Sequence, residues 1–161
     1  MPDSIDTFAA TNPAFCSALL YSFIDGYAST NSSGLPFPLI LLPIPIVLTS
    51  EIADALKGTN AKTGLLSWIG RNPEVTVGMR ERLQDTSEFS KQALLFGCRY
   101  GVFSIAESGR ISLRPDALAK SIPAAGSSYT VNAFRFAKRL GTWVGEAGTT
   151  ETILIALGAN R

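Results

Sequence analysis

Residues 35–48 read Leu-Pro-Phe-Pro-Leu-Ile-Leu-Leu-Pro-Ile-Pro-Ile-Val-Leu and contain four prolines, ten large apolar side chains and no charge. A membrane-spanning helix needs about 20 apolar residues, and prolines at this spacing would remove its backbone hydrogen bonds, so we expect no membrane span here. Burial of each such side chain stabilises a fold by roughly 1.5–3 kcal/mol. We therefore predict a buried central segment, packed within the fold or partly against another subunit.

The prolines of this segment also predict its backbone. Pro36 and Pro38 can open one or two helical turns. Pro43 and Pro45 disfavour helical geometry at the residues that precede them. The expected order is a short helix followed by an extended piece.

Composition sets the broad class of the protein. The chain has 161 residues, 46% of them hydrophobic, and we expect residues 1–161 to form a single domain with a full core. Its net charge of +1 gives no global reason to expect nucleic acid or an anionic membrane as the main partner. The N-terminus lacks the basic stretch of a secretory signal, and Cys16 and Cys98 lie in separate apolar runs. Free thiols and a cytoplasmic location are therefore expected.

The chain contains no histidine. Without imidazole, the common catalytic triads, histidine-containing zinc sites and most general bases near neutral pH are unavailable to it. Two separated cysteines cannot complete a zinc site of four thiolates. We therefore expect no catalytic, metal-binding or cofactor-binding residues, no small-molecule substrate and no enzyme activity.

Two patterns that resemble chemical sites have simpler explanations. The segment 58–64 contains Lys62 followed by Thr63, but it lacks the glycine spacing of a phosphate-binding loop, so we expect a turn between helices. Three carboxylates one helical turn apart have basic neighbours, which is typical of a solvated face of mixed charge. These carboxylates belong to Glu81, Asp85 and Glu88.

The N-terminal tract, residues 12–57, begins with a helix. Asn12 followed by Pro13 is typical of an N-cap and a first helical position, and apolar residues recur at helical spacing to about residue 28. At the other end of the chain, helical spacing returns over residues 130–158. Between residues 115 and 130 the pattern weakens, and we predict a loop there.

The central tract, residues 63–114, has the clearest organisation. Apolar spacing and capping residues predict helices at 63–70, 73–84 and 85–100. Two short strands, Val102–Ile105 and Arg110–Leu113, then predict a hairpin. Three helices followed by a hairpin is the order of a winged-helix domain. The predicted fold is mainly α with a small β-hairpin, comprising a winged-helix-like central module plus N- and C-terminal helices.

A winged-helix module invites a DNA-binding hypothesis. A recognition helix needs basic and amide side chains that enter the major groove. Residues 89–100 offer Lys91, Gln92 and Arg99 among apolar residues that should pack on more than one side. A protein-binding role is therefore favoured, and a winged-helix DNA-binding regulator is the alternative.

A second basic cluster lies in the C-terminal helical tract. Arg135, Lys138 and Arg139 should project opposite the apolar face of that helix. An ordinary solvated face explains them, while the sharper hypothesis is contact with a phosphate backbone or with an acidic patch on a partner subunit.

Taken in order, several short motifs resemble a known family. They are Asn12-Pro13-Ala14, the proline- and leucine-rich run to Leu48, Leu66-x-Trp68, Asn72-Pro73-Glu74-Val75, Glu81-Arg82, Ala93-Leu94-Leu95-Phe96-Gly97, Leu140-Gly141-x-Trp143 and Leu157-Gly158. The chain from residue 12 to 161 resembles the middle component of three-component ABC-ATPase systems of the Lamassu type, which serve bacterial defence. Pro45 and Met79 depart from the pattern.

The resemblance implies a small accessory subunit without catalytic function. It would assemble with an SMC-like ABC ATPase and with an effector subunit such as a nuclease, and DNA would be reached through the complex. Such a subunit would help restrain the effector until foreign DNA is sensed. Under this hypothesis we expect a partner to contact large apolar side chains, namely Leu35, Phe37, Trp68 and Trp143.

Overall fold

The computed structural model describes residues 5–115 and 128–160. They form a mainly α-helical fold with a two-stranded antiparallel sheet, which confirms the predicted fold class. The loop predicted for residues 115–130 lies largely outside the described residues. The elements in chain order are α1 (Thr7–Ala10), α2 (Pro13–Thr30), a first 3-10 helix (Phe37–Leu41), α3 (Pro43–Val47), α4 (Ser50–Leu56), α5 (Leu65–Arg71), a second 3-10 helix (Pro73–Thr76), α6 (Met79–Arg99), β1 (Phe103–Ile105), β2 (Ile111–Leu113), α7 (Ser128–Glu146) and α8 (Thr150–Ala156).

The centre of the fold is the pair of helices α2 and α7. Helix α2 begins as predicted, because the Asn12 side chain accepts a hydrogen bond from the Phe15 amide at 3.1 Å. The two helices approach so closely that a Cβ added to Gly141 would overlap the carbonyl oxygen of Phe23, and one added to Gly26 would overlap that of Lys138. Backbone therefore lies directly against backbone, and this arrangement requires glycine at both positions.

The segment 35–48 is buried within this chain, as predicted. Eight of its ten large apolar side chains are at most 3% exposed, and α3 packs against α2, α4, α6 and α7. The predicted extended piece is wrong, since Leu42 has helical angles (φ −78°, ψ −45°) and Pro43–Val47 is a helix. Pro43 and Pro45 occupy the first and third positions of α3, where an amide N–H has no acceptor within the helix, so neither proline costs a hydrogen bond.

The helices of the central tract also differ from the prediction. Asn72 and Pro73 begin only a 3-10 helix, and α6 continues unbroken from Met79 to Arg99 through the predicted boundary at residues 84 and 85. Continuity keeps the buried face of α6, which includes Leu83, Thr86 and Ser90, against the core, and a new N-cap at Asp85 would only lose hydrogen bonds. The three-helix order on which the winged-helix interpretation depended is therefore absent from the described residues.

The predicted hairpin is confirmed. β1 and β2 pair antiparallel, with Phe103 opposite Leu113 and Ile105 opposite Ile111. The buried Phe103 ring packs against Gly97 of α6, where a side chain would overlap it. On the other side of β2, the backbone of Leu35 bonds to Ile111. The proline-rich segment thus begins as a third, one-residue strand of the sheet.

No helix in the described ranges is long and apolar enough to cross a lipid bilayer. One continuous hydrophobic cluster draws on every helix from α1 to α8 and on both strands. The hairpin contributes Phe103 and Ile111 to this cluster and leaves Ser104 and Ile105 exposed.

Candidate protein interaction surface

Three of the four side chains predicted to contact a partner belong to the chain's own core. Leu35 and Trp68 are 0% exposed, and Trp143 is 1% exposed. They present no surface to a partner in this conformation, because the packing of the fold covers them. Phe37, at 38% exposure, is the member of the set that solvent reaches.

The two tryptophans hold the connection between α4 and α5. Their rings contact each other with centroids 5.7 Å apart. The indole N–H of Trp68 donates to the Ala55 carbonyl at 2.8 Å, and that of Trp143 donates to the Asn60 carbonyl at 3.0 Å. The segment 58–64 is thereby fixed as a turn between helices, which confirms that prediction.

The three basic residues predicted as a cluster on α7, Arg135, Lys138 and Arg139, make different contacts. Arg139 Nη1 donates to the Leu56 carbonyl at 3.3 Å and to Thr59 Oγ1 at 3.1 Å. Burial lowers the pKa of the Arg139 guanidinium, and the charge of Arg135 lowers it further. Lys138 forms an ion pair with Asp25 of α2, with Nζ and Oδ2 3.3 Å apart.

Arg135 itself is exposed. Of the three basic residues, Arg139 is bound into the fold, Lys138 forms an exposed ion pair, and Arg135 is directed to solvent. Contact of the cluster with phosphate or with an acidic partner stays a prediction, and Arg135 is the side chain best placed to make it.

The carboxylates of Glu81, Asp85 and Glu88 lie on the exposed side of α6. Neither there nor elsewhere in residues 5–115 and 128–160 do three or more acidic or cysteine side chains form a group that could hold a metal ion. The mixed-charge face predicted for α6 therefore matches the exposure of these residues.

The end of α6 and the hairpin carry an exposed apolar surface. Nine large hydrophobic side chains are exposed in the described part of the chain, and three of these lie within residues 95–105. Leu95 is 58% exposed, Tyr100 is 64% exposed and Ile105 is 46% exposed. We call these three side chains the hairpin surface. The Tyr100 ring is braced by Phe96, with ring centroids 4.6 Å apart.

The hairpin surface has basic surroundings. Residues 91–115 contain Lys91, Arg99, Arg110 and Arg114 against the single acid Glu107, which makes four positive charges against one negative charge. The whole chain has a net charge of +1, so its other residues carry a net charge of −2. The segment that bears the hairpin surface therefore has a net charge of +3, although Arg110 is directed to the Gly34 carbonyl and Glu88 lies on the same face of α6 as Leu95.

Sequence reasoning missed the hairpin surface because it placed the apolar residues of 89–100 in the core. On a continuous helix, the buried positions of α6 share one face, and Leu95 falls on the opposite face. Tyr100 lies just beyond the last helical residue. The charge imbalance of residues 91–115 was the signal that could have indicated this surface.

A hollow of about 470 Å³ lies beside the hairpin, between the end of α2 and the start of α8. Arg110 crosses its wall and donates from Nη1 to the Gly34 carbonyl at 3.0 Å. Burial raises the pKa of Tyr27, and the neighbouring Arg110 opposes that rise. The hydrogen bond to Gly34 therefore holds the Arg110 side chain beside the start of the proline-rich segment.

Comparison with known proteins assigns the chain to a family. No curated protein and no solved structure matches it. Residues 7–160 match the family model described as ABC-three component (ABC-3C) system Middle Component 3, which covers nearly the whole chain. A middle component of a multi-component system has partner subunits. The protein therefore belongs to the Middle Component 3 family of ABC-three component systems.

Proposed function

We propose that this protein is a non-catalytic, cytoplasmic accessory subunit of a Lamassu-type bacterial defence complex against phages or plasmids. In this role it bridges an SMC-like ABC ATPase and an effector subunit such as a nuclease, and it helps restrain the effector until foreign DNA is sensed. ATP hydrolysis and effector chemistry belong to the partners. The family match over residues 7–160 is the observation that carries the proposal.

The distribution of exposed side chains supports a docking role. The tryptophans and Arg139 are committed to the fold, whereas Leu95 and Tyr100 expose more than half of their surface. Tyrosine is enriched among the anchors of protein interfaces, and exposed apolar side chains that lie together mark interaction sites. The hairpin surface is therefore where we place a partner contact.

Co-expression tests this function. The tagged full chain is produced together with the ATPase and effector subunits of its own three-component system, and the purified material is analysed by gel filtration. We expect all three subunits to elute together. A chain that elutes as a free monomer and retains neither partner would contradict the proposal.

Charge substitutions on the hairpin surface locate the contact. The double variant Leu95→Glu, Tyr100→Glu should weaken partner binding by about a hundredfold or more, since anchor residues of an interface typically contribute about 2 kcal/mol each. Val77 is 70% exposed and lies at a different place in the chain, so Val77→Glu is the matched control. Both variants should melt at the temperature of the unmodified protein.

A DNA-binding regulator is the second candidate function, and the basic excess of residues 91–115 favours it. If it is correct, the isolated protein shifts duplex DNA, and the affinity falls steeply as salt rises. DNA binding that occurs only in the assembled complex supports the accessory-subunit function instead.

A further inference from the structure

The small sheet has one covered edge and one open edge. Leu35 and Ile111 exchange both backbone hydrogen bonds at 2.8 Å on one side of β2, and β1 occupies the other side. The residue that follows Leu35 is Pro36, which has no N–H and so cannot donate to a further strand on that side of the sheet. β1 is therefore the edge at which the sheet can grow.

The backbone groups that β1 presents at this edge follow from the alternation of hydrogen bonds. Ile111 uses its N–H and C=O towards Leu35, so Ile105, which stands opposite Ile111, directs its own N–H and C=O away from β2. The bonds from Ala106 N to Arg110 O and from Arg114 N to Val102 O, both 2.9 Å, fit the same alternation. Within residues 5–115 and 128–160, no element pairs with this outer side of β1.

The open edge is protected by its short length alone, since β1 has three residues. Exposed edges usually also carry lysine, proline or a bulge, and β1 has none of these. β1 reads Phe-Ser-Ile, with Ser104 and Ile105 exposed. The exposed Tyr100 precedes the strand by three residues, and Arg99 and Arg114 lie just before and just after the hairpin.

We propose that the outer edge of β1 binds an extended, acidic segment of a partner subunit as an added strand. The N–H and C=O of Ile105 bond to its main chain, Tyr100 and Ile105 contact its apolar side chains, and the surrounding arginines attract its carboxylates. This inference rests on the proposed function, because it requires a partner subunit that supplies the segment.

The observations favour this occupant over two others. Pairing between the three-residue β1 strands of two copies buries far less than the roughly 1,200 Å² of a stable interface. A segment tethered to a partner that is bound elsewhere gains from its effective concentration. A nucleic acid would use the arginines, but it would leave the open backbone edge and the apolar side chains without a role.

Replacing Ile105 by proline removes the outward N–H without removing a hydrogen bond between β1 and β2. Ser104 is already extended, so it accommodates a following proline. We expect Ile105→Pro to weaken binding of the full chain to the co-expressed partner subunits by about tenfold, and Ile105→Ala to weaken it by about threefold or less. The melting temperatures of both variants should match that of the unmodified protein, which shows that they are folded. Equal losses in the two variants would overturn strand addition.

Amide hydrogen exchange of the full chain separates the remaining outcomes. In the free protein the Ile105 amide should exchange fast while the Ser104 amide is protected, and in the complex both should be protected. A complex in which Ile105 still exchanges fast overturns this inference and leaves the proposed function standing. Failure to form any complex overturns both. If the Ile105 amide becomes protected simply as the protein concentration rises, a second copy of the chain is the occupant. If it becomes protected only when duplex DNA is added, DNA is the occupant. Either result overturns the inference.

Discussion

Cys16 shows how the fold changes the chemistry of a single residue. Its side chain is 0% exposed, and Sγ donates to the Ala9 carbonyl at 3.3 Å. Burial, with a smaller contribution from the charge of Asp6, raises the pKa of the thiol from 9.0 to about 12. Because the thiolate is the nucleophilic form, Cys16 is an inert core side chain. The structure confirms both cysteines as free, with Cys98 only half-buried.

This raised pKa predicts an alkaline loss of stability. Above pH 9 the unfolded chain loses the thiol proton and the folded chain retains it, so unfolding becomes easier as the pH rises towards 12. Between pH 8 and 10 the contribution of Cys16 should fall by about 1.4 kcal/mol. Urea unfolding at both pH values should therefore show a smaller stability difference between Cys16→Ala and the unmodified protein at pH 10. A difference that stays constant would contradict the shift.

At the scale of the elements, the contact between α2 and α7 depends on the absence of side chains. Apolar periodicity explains which faces of these helices are buried, but it does not explain how closely they approach. The Phe23 carbonyl occupies the place where a Cβ of residue 141 would stand. Thr30 Oγ1 adds a hydrogen bond to the Thr142 carbonyl at 2.9 Å across the same contact.

Two glycine substitutions test this contact. Gly141→Ala should destabilise the fold by about 3 kcal/mol, because one helix must move to make room for the methyl group. Gly70 lies in α5 with nothing within 4 Å of its added Cβ, so Gly70→Ala should stabilise the protein by about 0.5–1 kcal/mol through helix propensity. Thermal unfolding measures both changes. Similar effects of the two substitutions would show that the close approach is not required.

At the scale of the whole molecule, α7 connects distant parts of the chain through its basic side chains. Arg139 binds the end of α4 and the following turn, which lie about 80 residues earlier in the chain, and Lys138 binds α2. The same charges were predicted to contact phosphate or an acidic partner. Substitution of all three residues would therefore confound folding with binding.

Single substitutions separate the two roles. Arg139→Glu should lower the free energy of unfolding by about 2 kcal/mol or more, since it removes charged donors from partly buried acceptors. Arg135→Glu should change it by less than about 0.5 kcal/mol, as is usual at exposed positions. Retention of duplex DNA by the assembled complex should then fall with Arg135→Glu if the phosphate contact exists. Unchanged retention by that variant would rule the contact out.

Local signals were sufficient for a large part of this fold. The Asn12-Pro13 cap, the burial of residues 35–48 and the hairpin each follow from side-chain types within a few residues of one another, because caps, turns and hydrophobic runs act locally. The family resemblance likewise needed only the order of short motifs, and the match over residues 7–160 confirms the middle component.

Packing between distant segments decided the rest. Whether Pro43–Val47 is helical and whether α6 continues past Asp85 depends on what these segments contact, because competing local geometries differ by little energy. Whether a tryptophan is an anchor for a partner or a core residue depends on which elements cover it. The same holds for residues 35–48: their composition requires burial, but only the tertiary structure shows that this chain buries them itself and leaves Tyr100 and Ile105 exposed.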